Sequence, residues 1–340
     1  MGIIGYGVYI PRQRIKREEY QKAWGYFAAR WLEEKAVADF DEDAVTMAVE
    51  AASNALRNTG YDASLIDALY FASTSPPYAE KQNATTIATA LGCRNDTATM
   101  DVTSSPRCGL SALLSCLDYV DSLRGKTSLV VASDSPSGDP SGPFDHQLGS
   151  GAAAIILGRG LANGAVEGSI SLTSESLGER FRRDGQRFVT TIDLGRYHDA
   201  GSEGVILSCV GELMKKLGRS PKDYDFLAIL GVDPSRGIEL AKKLSFEETQ
   251  TTSSMVLGKI GDVGAASSLI VLSKLLESAS FKQRLLLCAY GPGSGADALS
   301  LVVDGEMKAA SGLSLDEYLA RKSYIDYASY LKIRRFFGAS

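Results

Sequence analysis

The residues best suited to covalent chemistry lie in the stretch Asp101 to Val120, DVTSSPRCGLSALLSCLDYV. Ser105 is a favourable N-cap and Pro106 a favourable first helical residue, so the pattern predicts a strand, a short turn and a helix. The N-terminus of a helix stabilises developing negative charge, and such an elbow therefore suits a nucleophile. Cys108, in the first predicted helical turn, is the thiol nearest to this elbow.

Histidines and closely spaced cysteines are scarce in the rest of the chain. The five cysteines are widely spaced and include no CxxC pair, which argues against a zinc site and against a disulfide framework. There are two histidines, His146 and His198. His146, in FDHQLGSG, is interpreted as a structural or exposed loop residue rather than a catalytic one, and His198 lies in a polar connecting segment. We therefore expect no bound metal, and the scarcity of histidines restricts any mechanism built on a histidine base.

Composition excludes several classes of protein. The chain has 340 residues, of which 44% are hydrophobic and 23% charged, as in soluble globular proteins. A net charge of −5 argues against general nucleic-acid binding. No apolar run approaches the length of a membrane span. The first residues, MGIIGYGVYIPRQRI, place an apolar run before the basic residues, unlike a signal peptide. We expect a cytoplasmic protein.

The elements that must position the elbow occur twice in the chain. The strand DALYF at 67–71 is matched by DFLAI at 225–229, and the helix and strand at 109–133 are matched by those at 264–289. Each copy continues into a Gly/Ser-rich turn and a last strand, GSGAAAIIL and GSGADALSL. Matches in the same order at nearly one offset indicate an internal duplication. The fold predicted is α/β, with two similar halves and a site between them, near Ser105 and Asp262.

This organisation divides the chain into four parts. We assign residues 1–165 to an N-terminal half, 166–203 to a connector or cap, 204–305 to a C-terminal half and 306–340 to a helical tail.

Motifs along nearly the whole chain carry a resemblance to a known family. They are IIGYGVYIPRQRI, EEKAV, DEDAVTMAVEAASNAL, PYAEK, ATTIATALG, LVVASD, GAAAIILG, AKKLSF, GKIGDVGAASSLI and LLLCAYGPGSGADALSL. Together they resemble the thiolase superfamily, and within it the hydroxymethylglutaryl-CoA synthase branch of the short archaeal and bacterial type. The resemblance implies a five-layer αβαβα fold with pseudo-twofold symmetry, a coenzyme A thioester as ligand, and a homo- or heterodimer of thiolase-type subunits. In some relatives an OB-fold, zinc-ribbon acyl-CoA-binding protein is a further partner.

The family's chemistry uses a cysteine nucleophile, a histidine, an asparagine and a glutamate. Alignment to the family pattern puts Pro106 at the cysteine position, Thr74 at the glutamate position, a residue near Leu230 at the histidine position and Asp262 at the asparagine position. All four differ from the family's chemical residues, while the surrounding motifs are kept. The resemblance therefore implies a site without the family's usual groups.

Two residues could supply replacement chemistry. Cys108 lies two residues past the nucleophile position. On a helix its side chain would point about 200° away from the direction of a side chain at that position, so a packing role is favoured. Asp262 could act as an acid, although capping of the following helix is favoured.

Binding residues can be named only as candidates. Arg180 and Arg183, in a basic cluster that extends to Arg187, could bind the phosphates of coenzyme A or belong to a solvated surface. Gly293 and Gly295, in the turn GPGSGAD, are interpreted as lining the acyl site.

The sequence leaves three functional hypotheses. The favoured one is a non-catalytic, hydroxymethylglutaryl-CoA synthase-like subunit that scaffolds a complex or binds acyl-CoA. The alternative is an active acyl-CoA condensing enzyme or acyltransferase with a rewired site that uses Cys108. The third is an acyl-CoA-binding homodimer without chemistry.

Overall fold

The computed structural model describes residues 1–160, 163–174, 179–192, 197–293, 295–305 and 312–336. The side chains of 197–201 and 252–254 also lie outside the description, and they include His198. The predicted connector and tail are therefore described in part only.

The strands alternate with helices through most of the chain. The strands are β1 Gly2–Tyr9, β2 Gln13–Lys16, β3 Glu34–Val37, β4 Ala68–Ala72, β5 Ala98–Val102, β6 Thr127–Asp134, β7 Gly151–Gly158, β8 Gly164–Leu172, β9 Phe226–Leu230, β10 Arg284–Gly291, β11 Gly295–Val303 and β12 Ser323–Tyr324. The helices are α1 Arg17–Trp24, α2 Ala44–Thr59, α3 Asn83–Leu91, α4 Cys108–Asp121, α5 Pro143–Gln147, α6 Tyr197–Leu217, α7 Pro234–Lys243, α8 Ala266–Ser278, α9 Leu315–Ala320 and α10 Tyr327–Ile333.

Sheet topology repeats the duplication seen in the sequence. Nine strands run in the order β5-β4-β6-β7-β1-β8-β11-β10-β9. In the first half β4 is parallel to β6, β6 is antiparallel to β7, and β7 is antiparallel to β1. The second half repeats this order: β9 is parallel to β10, β10 is antiparallel to β11, and β11 is antiparallel to β8. The two halves are therefore copies of one unit, and β5 is an additional edge strand of the first.

The apolar core shows five layers. One cluster packs α2 and α3 against β4, β6 and β7, and another packs α6 and α7 against β9, β10 and β11. A third and larger cluster surrounds α4 and α8, which lie between the two halves of the sheet. Ten residues of α8 are buried, as expected for a helix in a central layer. The αβαβα, thiolase-like arrangement implied by the resemblance is confirmed.

The two central helices touch at their N-terminal ends. A Cβ added to Gly109 would lie 2.0 Å from the carbonyl oxygen of Ala265. Only glycine permits this approach of backbone to backbone. The contact brings the starts of α4 and α8 together, where the duplication predicted a site.

Some local expectations were wrong in detail. Helix α4 begins at Cys108 rather than Pro106, because a turn closed by a bond of 2.9 Å from the Cys108 N–H to the Ser105 carbonyl precedes it. Residues 166–203, assigned to a connector or cap, contain most of β8, and the tail contributes β12 to a small sheet with β2 and β3. Across the described residues, the helices are all too short or too polar to cross a membrane.

Candidate active site

A cleft of about 690 Å³ opens where the two halves meet, and we call it the seam cleft. Its walls come from the turn after β4, the elbow before α4, the loop after β6, the segment after β8 and the turn before β11. Its lining residues are Thr74, Ser75, Pro76, Thr103, Ser104, Ser105, Pro106, Ser135, Pro136, Ser137, Arg180, Phe181, Arg182, Arg183, Asp184, Arg187, Val189, Pro292 and Gly293. Five chain segments distant in sequence thus form one site.

The floor of the seam cleft is organised by a fully buried carboxylate, that of Asp134 at the end of β6. It accepts hydrogen bonds from the hydroxyls of Ser73, Thr74 and Ser75 at 2.7–2.9 Å. It also accepts bonds from the backbone N–H groups of Thr74 and Ser75, both at 2.8 Å, and of Ala265 at 2.6 Å. Burial raises the pKa of Asp134, although these donors oppose the shift. One carboxylate therefore fixes the turn after β4 against the start of the second central helix.

The elbow before α4 forms a second wall. Ser104 has φ 79°, a left-handed conformation that costs a non-glycine residue about 1 kcal/mol. Arg107 then pairs with the buried carboxylate of Asp297 at 3.1 Å, across the boundary between the halves. These contacts hold Pro106 at the lining of the seam cleft with no nucleophile and no N–H of its own.

Arginines dominate the opposite wall. Arg180 pairs with Asp262 at 2.5 Å, and Arg182 donates to the carbonyl of Thr74 at 3.0 Å. The guanidinium of Arg183 lies over the ring of Phe181, 5.6 Å from its centroid. Arg182 and Arg183 are exposed and line the cleft, so the basic cluster faces the site. Such a wall can bind phosphate or carboxylate groups.

The structure brings together three of the four positions aligned to the family's chemical residues. Thr74 and Pro106 line the seam cleft, and Asp262 reaches it through Arg180. Asp262 also accepts bonds from the N–H of Gly264 at 2.9 Å and from a serine hydroxyl, so it caps the turn before α8 rather than the helix itself. Leu230 is buried at the end of β9 and does not line the cleft.

Cys108 lies beneath the seam cleft rather than in it. The residue is 3% exposed, and burial, together with the charge of Asp134, raises the pKa of its thiol. A thiolate is the reactive form of cysteine, so this environment opposes nucleophilic chemistry. In this conformation the packing role favoured by the sequence describes Cys108 better.

The remaining candidates have clear locations. His146 is buried in α5, where its Nδ1 accepts a bond of 3.0 Å from the N–H of Ala28 and its ring stacks on Phe27, so it belongs to a structural cluster. Gly293 lines the seam cleft. Gly295 has φ 115° and starts β11, where any side chain would meet the carbonyl of Leu172.

Sequence reasoning missed Asp134 and Arg334. A charged residue closing the apolar strand LVVASD was the available signal for Asp134. Arg334, after α10, donates to the hydroxyls of Ser135 and Ser137, both at 2.6 Å, and so joins the tail to a cleft wall. Nothing in the sequence of the tail indicated this contact.

Comparison with known proteins gives consistent full-length matches. A protein named hydroxymethylglutaryl-CoA synthase from Methanopyrus kandleri is 33% identical over 98% of this chain and 97% of its own length. One of the same name from Thermococcus gammatolerans is 33% identical over 98% of this chain and 96% of its own. No protein-family model matches the chain.

Solved structures share the fold. MvaS in complex with 3-hydroxy-3-methylglutaryl coenzyme A has a TM-score of 0.87 at 20% identity, covering 98% of this chain and 91% of that one. The 3-oxoacyl-[acyl-carrier-protein] synthase III from Aquifex aeolicus has a TM-score of 0.80 at 22% identity, covering 88% and 99%.

These relatives overturn one expectation from the sequence. A non-catalytic subunit was expected because the four aligned positions lack the family's chemical groups. Full-length relatives at 33% identity are instead named as a synthase, which points to a catalytic, acyl-CoA condensing protein. The expectation of a non-catalytic protein was wrong.

Proposed function

The chain belongs to the hydroxymethylglutaryl-CoA synthase family, and we propose that it is an acyl-CoA condensing enzyme or acyltransferase whose active site is the seam cleft. The observation that carries this proposal is the position of the cleft, at the start of the first central helix and above the carboxylate that binds the start of the second, with arginines on one wall. Helix N-termini and guanidinium groups both stabilise the negative charge that develops when a thioester carbonyl is attacked.

Coenzyme A is the ligand class that this wall fits. Its diphosphate and 3′-phosphate are strongly anionic, and Arg183 and Arg187 are exposed at the cleft to receive such groups. Two solved structures of the same fold are of complexes, one with 3-hydroxy-3-methylglutaryl coenzyme A and one, an HMG-CoA synthase, with CoA. The acyl end of the ligand would then reach the floor of the cleft, near Thr74 and Pro106.

The reacting groups differ from those that the family resemblance implies. Pro106 cannot form an acyl thioester, so a group other than the residue at that position must act on the acyl group. The cleft offers hydroxyls, the charge of Arg180 and the buried carboxylate of Asp134. Cys108 remains a second candidate that requires the elbow to rearrange.

A direct assay tests the proposal. The purified full-length chain is incubated with acetyl-CoA, alone and with acetoacetyl-CoA, and both free coenzyme A and the acyl products are quantified by mass spectrometry. We expect the chain to release coenzyme A faster than the enzyme-free mixture does. Arg183→Gln should reduce this release at least about 10-fold, because it removes about 1.4 kcal/mol of the free energy of binding to the acyl-CoA.

The matched control is Arg57→Gln, because Arg57 forms a surface pair with Glu50 outside the seam cleft. It should leave the rate unchanged. A chain that binds coenzyme A but releases none from either thioester mixture would refute an enzymatic role for these substrates.

A further inference from the structure

One hydroxyl in the seam cleft has the geometry of an activated nucleophile. Thr74 lines the cleft, and its Oγ1 donates a hydrogen bond of 2.9 Å to Oδ2 of Asp134. A weak nucleophile becomes effective when a base lies within hydrogen-bond reach and a third group orients that base. Ser73, Ser75 and the N–H of Ala265 hold the carboxylate of Asp134 in place.

Two other hydroxyls also reach Asp134, but the oxygen of each already accepts a hydrogen bond. Ser75 Oγ donates to Asp134 at 2.7 Å and accepts a bond of 2.9 Å from the N–H of Ser135. Ser73 Oγ donates at 2.8 Å, accepts from the N–H of Ser75 at 3.1 Å and is buried. Within the described residues, the hydroxyl oxygen of Thr74 accepts no such bond. Thr74 is therefore the hydroxyl of the three whose oxygen is open to the cleft.

The surroundings of Thr74 also favour attack on a thioester. Arg182 donates to the Thr74 carbonyl at 3.0 Å, which places a guanidinium charge next to this residue. Asp134 is fully buried, so its carboxylate is shielded from water and available only to the groups bonded to it. The arrangement differs from that of Cys108, whose thiol is buried below the cleft.

We propose that Thr74 accepts the acyl group from the coenzyme A thioester as an ester, with Asp134 as its base. This inference rests on the proposed function, since it assigns the residue that carries out the first chemical step.

The step balances with solvent water as the proton source for the leaving thiol. The Thr74 oxygen attacks the thioester carbonyl carbon as its proton moves to Asp134. The new C–O bond gives a tetrahedral intermediate, which collapses with cleavage of the C–S bond. The sulfur leaves with the electron pair as coenzyme A thiolate and takes a proton from solvent water in the open cleft. Asp134 keeps the Thr74 proton until the acyl group is transferred to a second substrate, when the released Thr74 oxygen takes this proton back and the hydroxyl is regenerated.

The test is to trap the ester on the full-length chain. The chain is mixed with acetyl-CoA and quenched in acid, and the acetylated peptide is located by mass spectrometry. Neutral hydroxylamine then distinguishes the linkages, because it cleaves a thioester readily and an ordinary oxygen ester far more slowly. We expect a hydroxylamine-resistant acetyl group on Thr74. It should be absent in Thr74→Val and present in Thr74→Ser and in Cys108→Ala.

Turnover gives an independent readout. Thr74→Val should lower coenzyme A release at least about 100-fold, the range expected for loss of an acid–base or nucleophilic group. Its affinity for free coenzyme A should be unchanged, which shows that the variant is folded. The surface control Thr89→Val loses a comparable hydroxyl bond and should retain full turnover.

The assignment is overturned by an acetyl group found only on Cys108, or by wild-type turnover in Thr74→Val. Turnover by the wild type with no acetyl group on Thr74 overturns this inference and leaves the proposed function standing. If the chain binds coenzyme A but shows neither turnover nor an acetyl adduct, this inference and the proposed function are both refuted.

Discussion

Asp134, in the N-terminal half, accepts a hydrogen bond of 2.6 Å from the backbone N–H of Ala265, at the start of the central helix of the C-terminal half. The same carboxylate holds the turn that carries Thr74. The two copies of the duplicated unit are thus joined by one buried charge at the floor of the seam cleft. Its replacement should affect the stability of the whole fold as well as the site.

We expect Asp134→Asn to lower the free energy of unfolding by about 3 kcal/mol, because an amide would direct its own N–H groups at donors inside the protein. Urea unfolding followed by circular dichroism measures the change. The control Asp316→Asn removes an exposed carboxylate that pairs with Lys274 and should change stability by less than about 0.5 kcal/mol. Equal stability of the two variants would contradict the role given to Asp134.

The fold could be predicted from the sequence because its information is local and repeated. The apolar strands and the helix around Leu113 occur twice in the same order, and the sheet pairs them in the same directions. The site could be predicted only at residues inside recognisable motifs, such as Thr74 and Pro106. Its organising contacts join groups far apart in sequence, including Asp134 to Ala265, separated by 131 residues, and Arg180 to Asp262, separated by 82. No local pattern encodes such pairs, which explains why Asp134 was missed.

The contact between the central helices predicts that Gly109→Ala lowers the free energy of unfolding, whereas an alanine at a glycine with open space around it should raise it. Gly109→Ala should destabilise the protein by about 3 kcal/mol, because the new Cβ would lie 2.0 Å from the Ala265 carbonyl oxygen and the helices would have to separate. Gly211→Ala, inside α6 with open space around it, should stabilise by about 1 kcal/mol through helix propensity. Thermal unfolding of both variants checks the pair, and destabilisation by both would show that the close approach is not the cause.

A buried lysine should add a contribution to stability that grows with pH under mildly alkaline conditions. Lys35 lies next to Asp145, Tyr330 and Arg334, and burial lowers its pKa from 10.5 to about 8. Between these values the unfolded chain binds a proton at Lys35 that the folded chain has released, so the contribution of Lys35 to stability increases as pH rises. From pH 8 to 9.5 this contribution grows by about 1.5 kcal/mol.

Burial raises the pKa of the Cys108 and Cys116 thiols, which act in the opposite direction, so the effect of Lys35 is measured as a difference between the wild type and a Lys35 variant. Urea unfolding of the wild type and of Lys35→Met across this range measures the effect: the free energy of unfolding of the wild type, relative to that of the variant, should rise by about 1.5 kcal/mol. Thiol and tyrosine ionisation in the unfolded chain contributes equally to both proteins and cancels in this difference. Lys222→Met, at an exposed lysine, should keep the wild-type slope. An identical slope in Lys35→Met would contradict a neutralised Lys35.

The edge strand β5 gives a prediction about assembly. The family resemblance implies a pair of subunits, and we expect them to meet at this strand. Strand β5 pairs with β4 and ends the sheet, and Met100 on it is 36% exposed. Edge strands pair readily with another copy, and a lysine there opposes pairing. We expect light scattering to find a dimer for the wild type and a monomer for Met100→Lys. The control Leu123→Lys, on another surface, should remain dimeric. A monomeric wild type would contradict a homodimer.

The tail should determine substrate affinity through Arg334. Its guanidinium bonds to Ser135, Ser137 and the carbonyl of Pro136, and its own carbonyl accepts a bond from Arg187 on the arginine wall. Two walls of the seam cleft are therefore tied to one residue outside it.

Because these bonds position the walls and do not touch the reacting atoms, Arg334→Ala should raise KM for acyl-CoA about 10-fold, for a loss of about 1.4 kcal/mol of binding, and change kcat little. Hydrogen exchange at residues 135–138 should become faster, and Arg334→Lys should restore part of the affinity. Lys274→Ala, which removes a tail contact to Asp316 away from the cleft, should leave both constants unchanged. A fall in kcat at constant KM would instead place Arg334 in the chemical step.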